Sequence, residues 1–185
     1  RTRGVIVCFS VTAISGSGPV WGVVGVATCP MPSRRAEIAF AMSPLLFVIQ
    51  QLTEGMIWLS FQNNSPLPNS TLSFIFSLFS HVLWPIFIPF AVGLLETVPS
   101  RKKALGACQI AGLAVGLYLL YFIVQFPVTS EVLGNHIAYV SPHFYIVPVM
   151  LTYLIATCVS CLLSSSRVIQ IFGVLSLATF MAAYS

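Results

Sequence analysis

Long apolar runs broken by short polar stretches organise this chain. No charged side chain occurs between Gly4 and Ser33. The runs Ile38–Phe61, Thr71–Leu95 and Ala104–Phe126 follow, then His143–Leu163 and Val168–Ser185. A helix that crosses a bilayer needs about 20 apolar residues, and each run reaches or approaches that length. The pattern predicts an all-α, polytopic transmembrane helix bundle. Its spans are expected over 5–28, 38–61, 71–95, 104–126, 143–163 and 168–185. The last run stops without a polar flank, so the pattern anticipates truncation there and a seventh span beyond the six visible ones. No segment is polar enough to house a second, soluble domain, and no period of about 20–50 residues repeats.

Composition sharpens this picture. Of 185 residues, 57% are hydrophobic and only 6% charged, against about a quarter charged in a soluble domain. Mean hydropathy is +0.95. The net charge of +4 lies in short clusters between apolar runs, which is no footprint for nucleic acid. The implied partner is the lipid bilayer, with a homo-oligomer or a larger membrane complex as further assemblies.

The charges also orient the bundle. Arg34 and Arg35 follow the first span, Arg101, Lys102 and Lys103 the third, and Arg167 the fifth. The connections Gln62–Ser70 and Pro127–Pro142 carry no Lys or Arg. Basic loops face the cytoplasm, so the expected N-terminus is outside and the expected location is a multi-pass place in the inner (plasma) membrane. Arg1 and Arg3 run against this assignment. Arg1, Arg3 and Val5–Ile14 also have the outline of a signal peptide, and Val26-Ala27-Thr28-Cys29 that of a lipobox. Either would put Arg34 and Arg35 outside and break the alternation. The loop Pro127–Pro142 is long for a tight bundle and is expected to fold back as a lid.

Against so apolar a background, one carboxylate stands out. Glu54 lies inside the second span, and at the middle of a bilayer an ionised carboxylate costs roughly 2.5–3.5 kcal/mol on insertion scales. Gln50, Glu54 and Trp58 recur at i, i+4 and i+8, one stripe of a helix. Ser77, His81, Trp84 and Pro85 form a comparable stripe on the third span. With the two spans antiparallel, Glu54 lies roughly 9 Å, and His81 roughly 13–15 Å, below the outer surface at 1.5 Å per residue. A carboxylate beside an imidazole can share a proton, which suits a proton relay or an acid/base pair. The plainer alternative is an interhelical hydrogen bond worth about 0.6 kcal/mol. Tyr118 on the fourth span and His136 in the long outer loop complete the candidate set of Glu54, His81, Gln50, Ser77, Tyr118 and His136. No tight metal motif is present and no cofactor is identified. Cys158 and Cys161 form a CxxC, but Cys29, Cys108, Cys158 and Cys161 are spread over three spans. Glu96 is expected to pair with the Arg101–Lys103 cluster. Gly18/Gly22 and Gly112/Gly116 have the GxxxG spacing of close helix contacts. Asn63 and Asn69 match the glycosylation pattern.

Several short motifs resemble one family. Cys8-Phe9-Ser10 with Thr12-Ala13 and Ser15 is similar to the opening of an uncharacterised bacterial family of small multi-span proteins whose members begin Met-Cys-Phe-Ser. Gln50-Gln51-Leu52, Glu54-Gly55, Trp58-Leu59, Trp84-Pro85, Gly116-Leu117-Tyr118-Leu119 and His136-Ile137-Ala138-Tyr139 extend the resemblance along the chain. It implies about seven spans, a continuation past Ser185 and no assigned activity, so it transfers no catalytic residues. Val7 stands where the family has its initiating Met, which would make Arg1–Ile6 upstream sequence. Val11 stands where the family usually has Ala.

Three functional readings follow. The first is a polar intramembrane site in the outer half that relays protons or moves a small solute. The second is an intramembrane enzyme, metal- or lipid-linked, using the same residues. The third is an accessory or assembly subunit in which those residues only fix helix register.

Overall fold

The computed structural model describes residues 3–7, 35–62, 66–126, 128–133, 136–142 and 146–183. Most of them are helical. After β1 (Arg3–Val7) come α1 (Arg35–Ala41), α2 (Ser43–Gln62) and α3 (Pro66–Ser77), then a π-helical turn, π1 (Leu78–Leu83), and α4 (Trp84–Leu95). The chain continues through α5 (Pro99–Gln125), β2 (Thr129–Leu133), β3 (His136–Pro142), α6 (Ile146–Leu154), a second π-helical turn, π2 (Ile155–Val159), α7 (Ser160–Leu162) and α8 (Arg167–Ala183).

Three stretches are helical, long and apolar enough to cross a membrane: Glu37–Gln62, Asn69–Leu95 and Pro99–Gln125. They coincide with the second, third and fourth expected spans. The fifth and sixth contain the shorter apolar helices Val147–Leu162 and Arg167–Met181. The first expected span lies outside the described residues from Cys8 onward. Its opening residues, Val5–Val7, belong instead to strand β1.

The expectation of an all-α chain is therefore corrected. A small antiparallel sheet of order β1-β3-β2 is present, and two of its strands, β2 and β3, lie in the stretch read as a long outer loop. β3 pairs with β2 from Thr129↔Val140 to Leu133↔His136, and with β1 from Arg3↔Pro142 to Val7↔Ala138. The physical reason is backbone satisfaction. A loop packed against helices must pair its N–H and C=O groups, and a central strand pairs both edges.

The described residues resolve into two compact units. The first comprises 3–7, 41–62, 66–80, 122–126, 128–133 and 136–142; the second comprises 35–40, 81–121 and 146–183. In the first, α2 packs on α3 and β2 docks on α3. Phe76 stacks on Tyr139 at 4.6 Å between ring centroids.

In the second unit, glycines set the packing. Pro89 lacks the N–H that would bond the Pro85 carbonyl within α4. That carbonyl oxygen lies directly over Gly112 of α5, with Ala156 of π2 on another side, 3.3 Å from where a Cβ would stand. One turn on, Gly116 faces Ile86 and the Val82 carbonyl. Gln109 Nε2 adds a donor to the Ile86 carbonyl at 3.2 Å. The GxxxG spacing at Gly112/Gly116 thus serves a backbone-to-backbone contact inside this chain. Gly173 of α8 likewise leaves room for the Cys161 Cβ and the Cys158 carbonyl. Phe40 meets Phe172 edge-on at 6.0 Å.

Candidate functional site

Helix α2 is inside out relative to a soluble amphipathic helix. Its buried face carries Ser43, Gln50, Thr53, Glu54, Ile57 and Ser60. Its exposed face carries Leu45, Ile49, Leu52, Met56 and Leu59, each 40–64% exposed. In water the apolar stripe would turn inward. Here the polar stripe does, and Thr53 makes itself acceptable there by donating to the Ile49 carbonyl at 2.9 Å.

Glu54 is 1% exposed. Its Oε1 has no hydrogen-bond partner among the described residues. A buried polar atom left without a partner costs about 1–3 kcal/mol. The buried Nε1 of Trp58, one turn along the helix, is likewise without an acceptor among the described residues. This stretch of α2 therefore places two unmatched polar atoms in the interior.

Register within the first unit follows from one bond. Asn69 Nδ2 of α3 donates to Ser60 Oγ of α2 at 3.1 Å. Two antiparallel helices with equal rise then bring Glu54 level with residue 75, within roughly 3 Å of the height of Ser77. Ser77 is 1% exposed and Gln50 8%, so three of the expected site residues are buried in the α2/α3 hairpin. Gln50 and Ser77 are both engaged with neighbouring groups.

The remaining expected residues fall elsewhere. His81 lies in π1 and Tyr118 on α5, both half-buried, both engaged with neighbours and both in the second unit. His136 opens β3, opposite Leu133. Among the described residues, no group of three or more His, Cys, Asp or Glu gathers at metal-binding distance.

Two polar clusters were not expected. In the first unit, Ser73 Oγ donates to Ser130 Oγ (2.9 Å), Ser130 Oγ donates to Asn69 Oδ1 (2.7 Å), and Ser60 Oγ donates to the Ile57 carbonyl (2.7 Å). With the Asn69–Ser60 bond, this relay links β2 through α3 to α2. Asn69, expected as a glycosylation match, uses its amide on both sides as a strut. The i, i+4, i+8 recurrence of Asn69, Ser73 and Ser77 was visible in the sequence. The partner Ser130 carried no signal.

In the second unit, Glu96 is 4% exposed. Its Oε1 accepts from the N–H groups of Thr97 (3.0 Å) and Val98 (2.9 Å) and from Ser165 Oγ (2.8 Å); its Oε2 accepts from the Ser165 N–H at 2.7 Å. One carboxylate thus sits at the entries of two helices, α5 and α8, where backbone N–H groups favour an anion. Burial alone would raise its pKa. The four donors outweigh burial and hold the carboxyl below the usual range. The expected pairing with the basic cluster is corrected accordingly. Arg101 Nη1 turns to the carbonyls of Ser164 (2.8 Å) and Leu163 (3.3 Å).

No curated protein and no solved structure matches the chain. A family model does match, over residues 7–184, and its description is "Family of unknown function". That stretch holds α2 with Glu54, the Asn69 relay and the Glu96 junction alike, so the chain belongs to that family of unknown function, DUF6629.

Proposed function

We propose that this protein is a bacterial inner-membrane bundle whose polar site at Glu54 relays protons or moves a small solute. The observation that carries this reading is the reversed burial of α2. Polar Gln50, Thr53, Glu54 and Ser60 are buried while Leu45, Ile49, Leu52, Met56 and Leu59 are exposed. Hydrocarbon is the solvent in which that arrangement is stable. α5 likewise exposes an apolar face, Ile110, Leu113, Leu117, Tyr121 and Val124. Large exposed apolar faces of this kind mark membrane or protein contact.

The proposed topology has six spans within this sequence, an outer N-terminus, and Arg101–Lys103 on the cytoplasmic side. Ionisable residues inside such spans serve pathways and relays. Glu54 is the proposed proton or solute group, with Gln50 and Ser77 as neighbouring polar groups. His81, one helical turn beyond Ser77 along the same run of helix, is the second titratable group, and Tyr118 and His136 are accessory candidates.

The test is transport in vesicles. Purified protein reconstituted in liposomes loaded with a pH-sensitive dye should pass protons or a co-transported solute, and Glu54→Gln should stop this while inserting normally. If Glu54→Gln and His81→Ala reduce only the yield of folded protein, the accessory-subunit reading replaces this one. If neither variant alters flux but both abolish turnover of a lipid, the enzyme reading does.

A further inference from the structure

The Glu96 junction does more than cap two helices. It holds loop 96–98 against loop 163–166 through the Ser165 N–H and Oγ. Arg101 reinforces the same closure through the Ser164 carbonyl. Gln170 Nε2 adds a bond to that carbonyl at 2.8 Å. Two loops, 67 residues apart at Val98 and Ser165, are thereby fixed side by side.

Each loop delivers basic residues. Arg101, Lys102 and Lys103 occupy the first turn of α5, and Arg167 begins α8; all four are exposed. The acid beside them is consumed internally by four donors. The other acid of the unit, Glu37, is half-buried on α1. Exposed apolar residues continue directly from the basic ones: Val168 is 72% and Ile171 59% exposed. A cationic rim above an apolar wall fits one kind of partner, the boundary between anionic headgroups and acyl chains.

We propose that Glu96 assembles Arg101, Lys102, Lys103 and Arg167 into one cationic surface that binds anionic phospholipid headgroups. The proposal rests on the membrane reading above. It also makes a prediction that simple charge counting reverses. Glu96→Gln makes the chain more positive, which alone would strengthen lipid binding. Loosening the junction separates the two basic loops and weakens it.

The experiment uses the full chain in phosphatidylcholine vesicles with trace spin-labelled phosphatidylglycerol or phosphatidylcholine. Wild type should prefer phosphatidylglycerol by at least about five-fold, the gain expected from one basic group close to a membrane surface, and 0.5 M salt (about a 4–5 Å screening length) should erode the preference. Lys102→Gln/Lys103→Gln/Arg167→Gln, confined to exposed positions, should lower it to at most what Arg101 alone supplies, without altering thermal unfolding. Glu96→Gln should lower it, and Ser165→Ala, a gentler change at the same junction, should lower it less. Equal preference for the two lipids in wild type, an undiminished preference in the triple variant, or a stronger preference in Glu96→Gln would each overturn the proposal. Displacement of the lipid by millimolar glycerol phosphate would also overturn it, since that marks a site for free phosphate. A chain that does not insert into vesicles contradicts the membrane reading itself; insertion without lipid preference contradicts this proposal alone.

Discussion

Pro85 and Gly112 meet backbone to backbone: the Pro85 carbonyl oxygen occupies the space a Cβ on residue 112 would need. The contact follows from two sequence facts acting together. Pro89 frees the carbonyl from its helical bond, and a residue without a side chain lets α5 approach it, leaving a Cα–H group as its neighbour. Gly112→Ala should therefore force α4 and α5 apart, at about 1–3 kcal/mol or more, the range for overpacking. Gly116→Ala should cost less, because the nearest obstacle is the end of the Ile86 side chain, whose Cδ1 lies 2.9 Å away and can rotate. Thermal unfolding of the two variants in detergent checks the ranking. Equal losses would mean that the close approach at Pro85 does not govern the packing.

The Asn69 strut yields a second prediction. Asn69→Ala deprives Ser60 of a donor and Ser130 of an acceptor, and leaves a buried cluster partly unsatisfied. The expected loss is about 1–3 kcal/mol. Ser130→Ala removes part of the same network, so the double variant should lose less than the sum of the two singles. Strict additivity, measured by thermal or denaturant unfolding, would show that the residues do not act as one cluster.

How much of this was legible beforehand depends on the kind of signal. The helices Glu37–Gln62, Asn69–Leu95 and Pro99–Gln125 were readable because the length and apolarity that a membrane crossing requires show in each segment separately. Glu54 was readable because a lone carboxylate in such a run needs a reason. The β2–β3 hairpin was missed although Gly134-Asn135 between two short runs is a hairpin signal; its polar composition resembled a loop, and its third strand comes from the other end of the chain. Glu96 was misassigned because three basic residues nearby suggested an ion pair. Its real partners are three backbone N–H groups and one hydroxyl, and backbone donors from a loop 69 residues away leave no mark in sequence. Ser130 was missed for the same reason, since small hydroxyls are common and their partners are set by tertiary approach.

The Glu96 junction predicts a pH dependence with a definite sign. Its folded pKa lies below the ordinary value, which is about 4.3 for glutamate. The stabilisation is therefore fully present above that ordinary value, and it is lost as pH falls below it through the lowered folded pKa. Unfolding measured from pH 7 down to pH 3 should show wild type losing its advantage over Glu96→Gln at the acid end. At neutral pH, Glu96→Gln should be the less stable by about 1–3 kcal/mol, since charge-assisted bonds become neutral ones. A constant gap across the range would mean that the charge on Glu96 is not what holds the loops.

Glu54 predicts the opposite behaviour on mutation. Glu96 is buried with every oxygen satisfied, whereas Glu54 is buried with Oε1 lacking a partner among the described residues. A group that serves only helix register would be matched; one retained for chemistry can be a net burden on the fold. Glu54→Met, similar in length and without polar atoms, removes the unmatched oxygen and should raise thermal stability, by about 1–3 kcal/mol. Glu54→Gln keeps a polar tip and should be nearly neutral. Both should abolish any flux that depends on this site. Unfolding and vesicle flux measured on the same preparations separate the cases. Higher stability with lost flux identifies a functional carboxylate, while lower stability in Glu54→Met identifies a structural one and removes Glu54 from the proposed site.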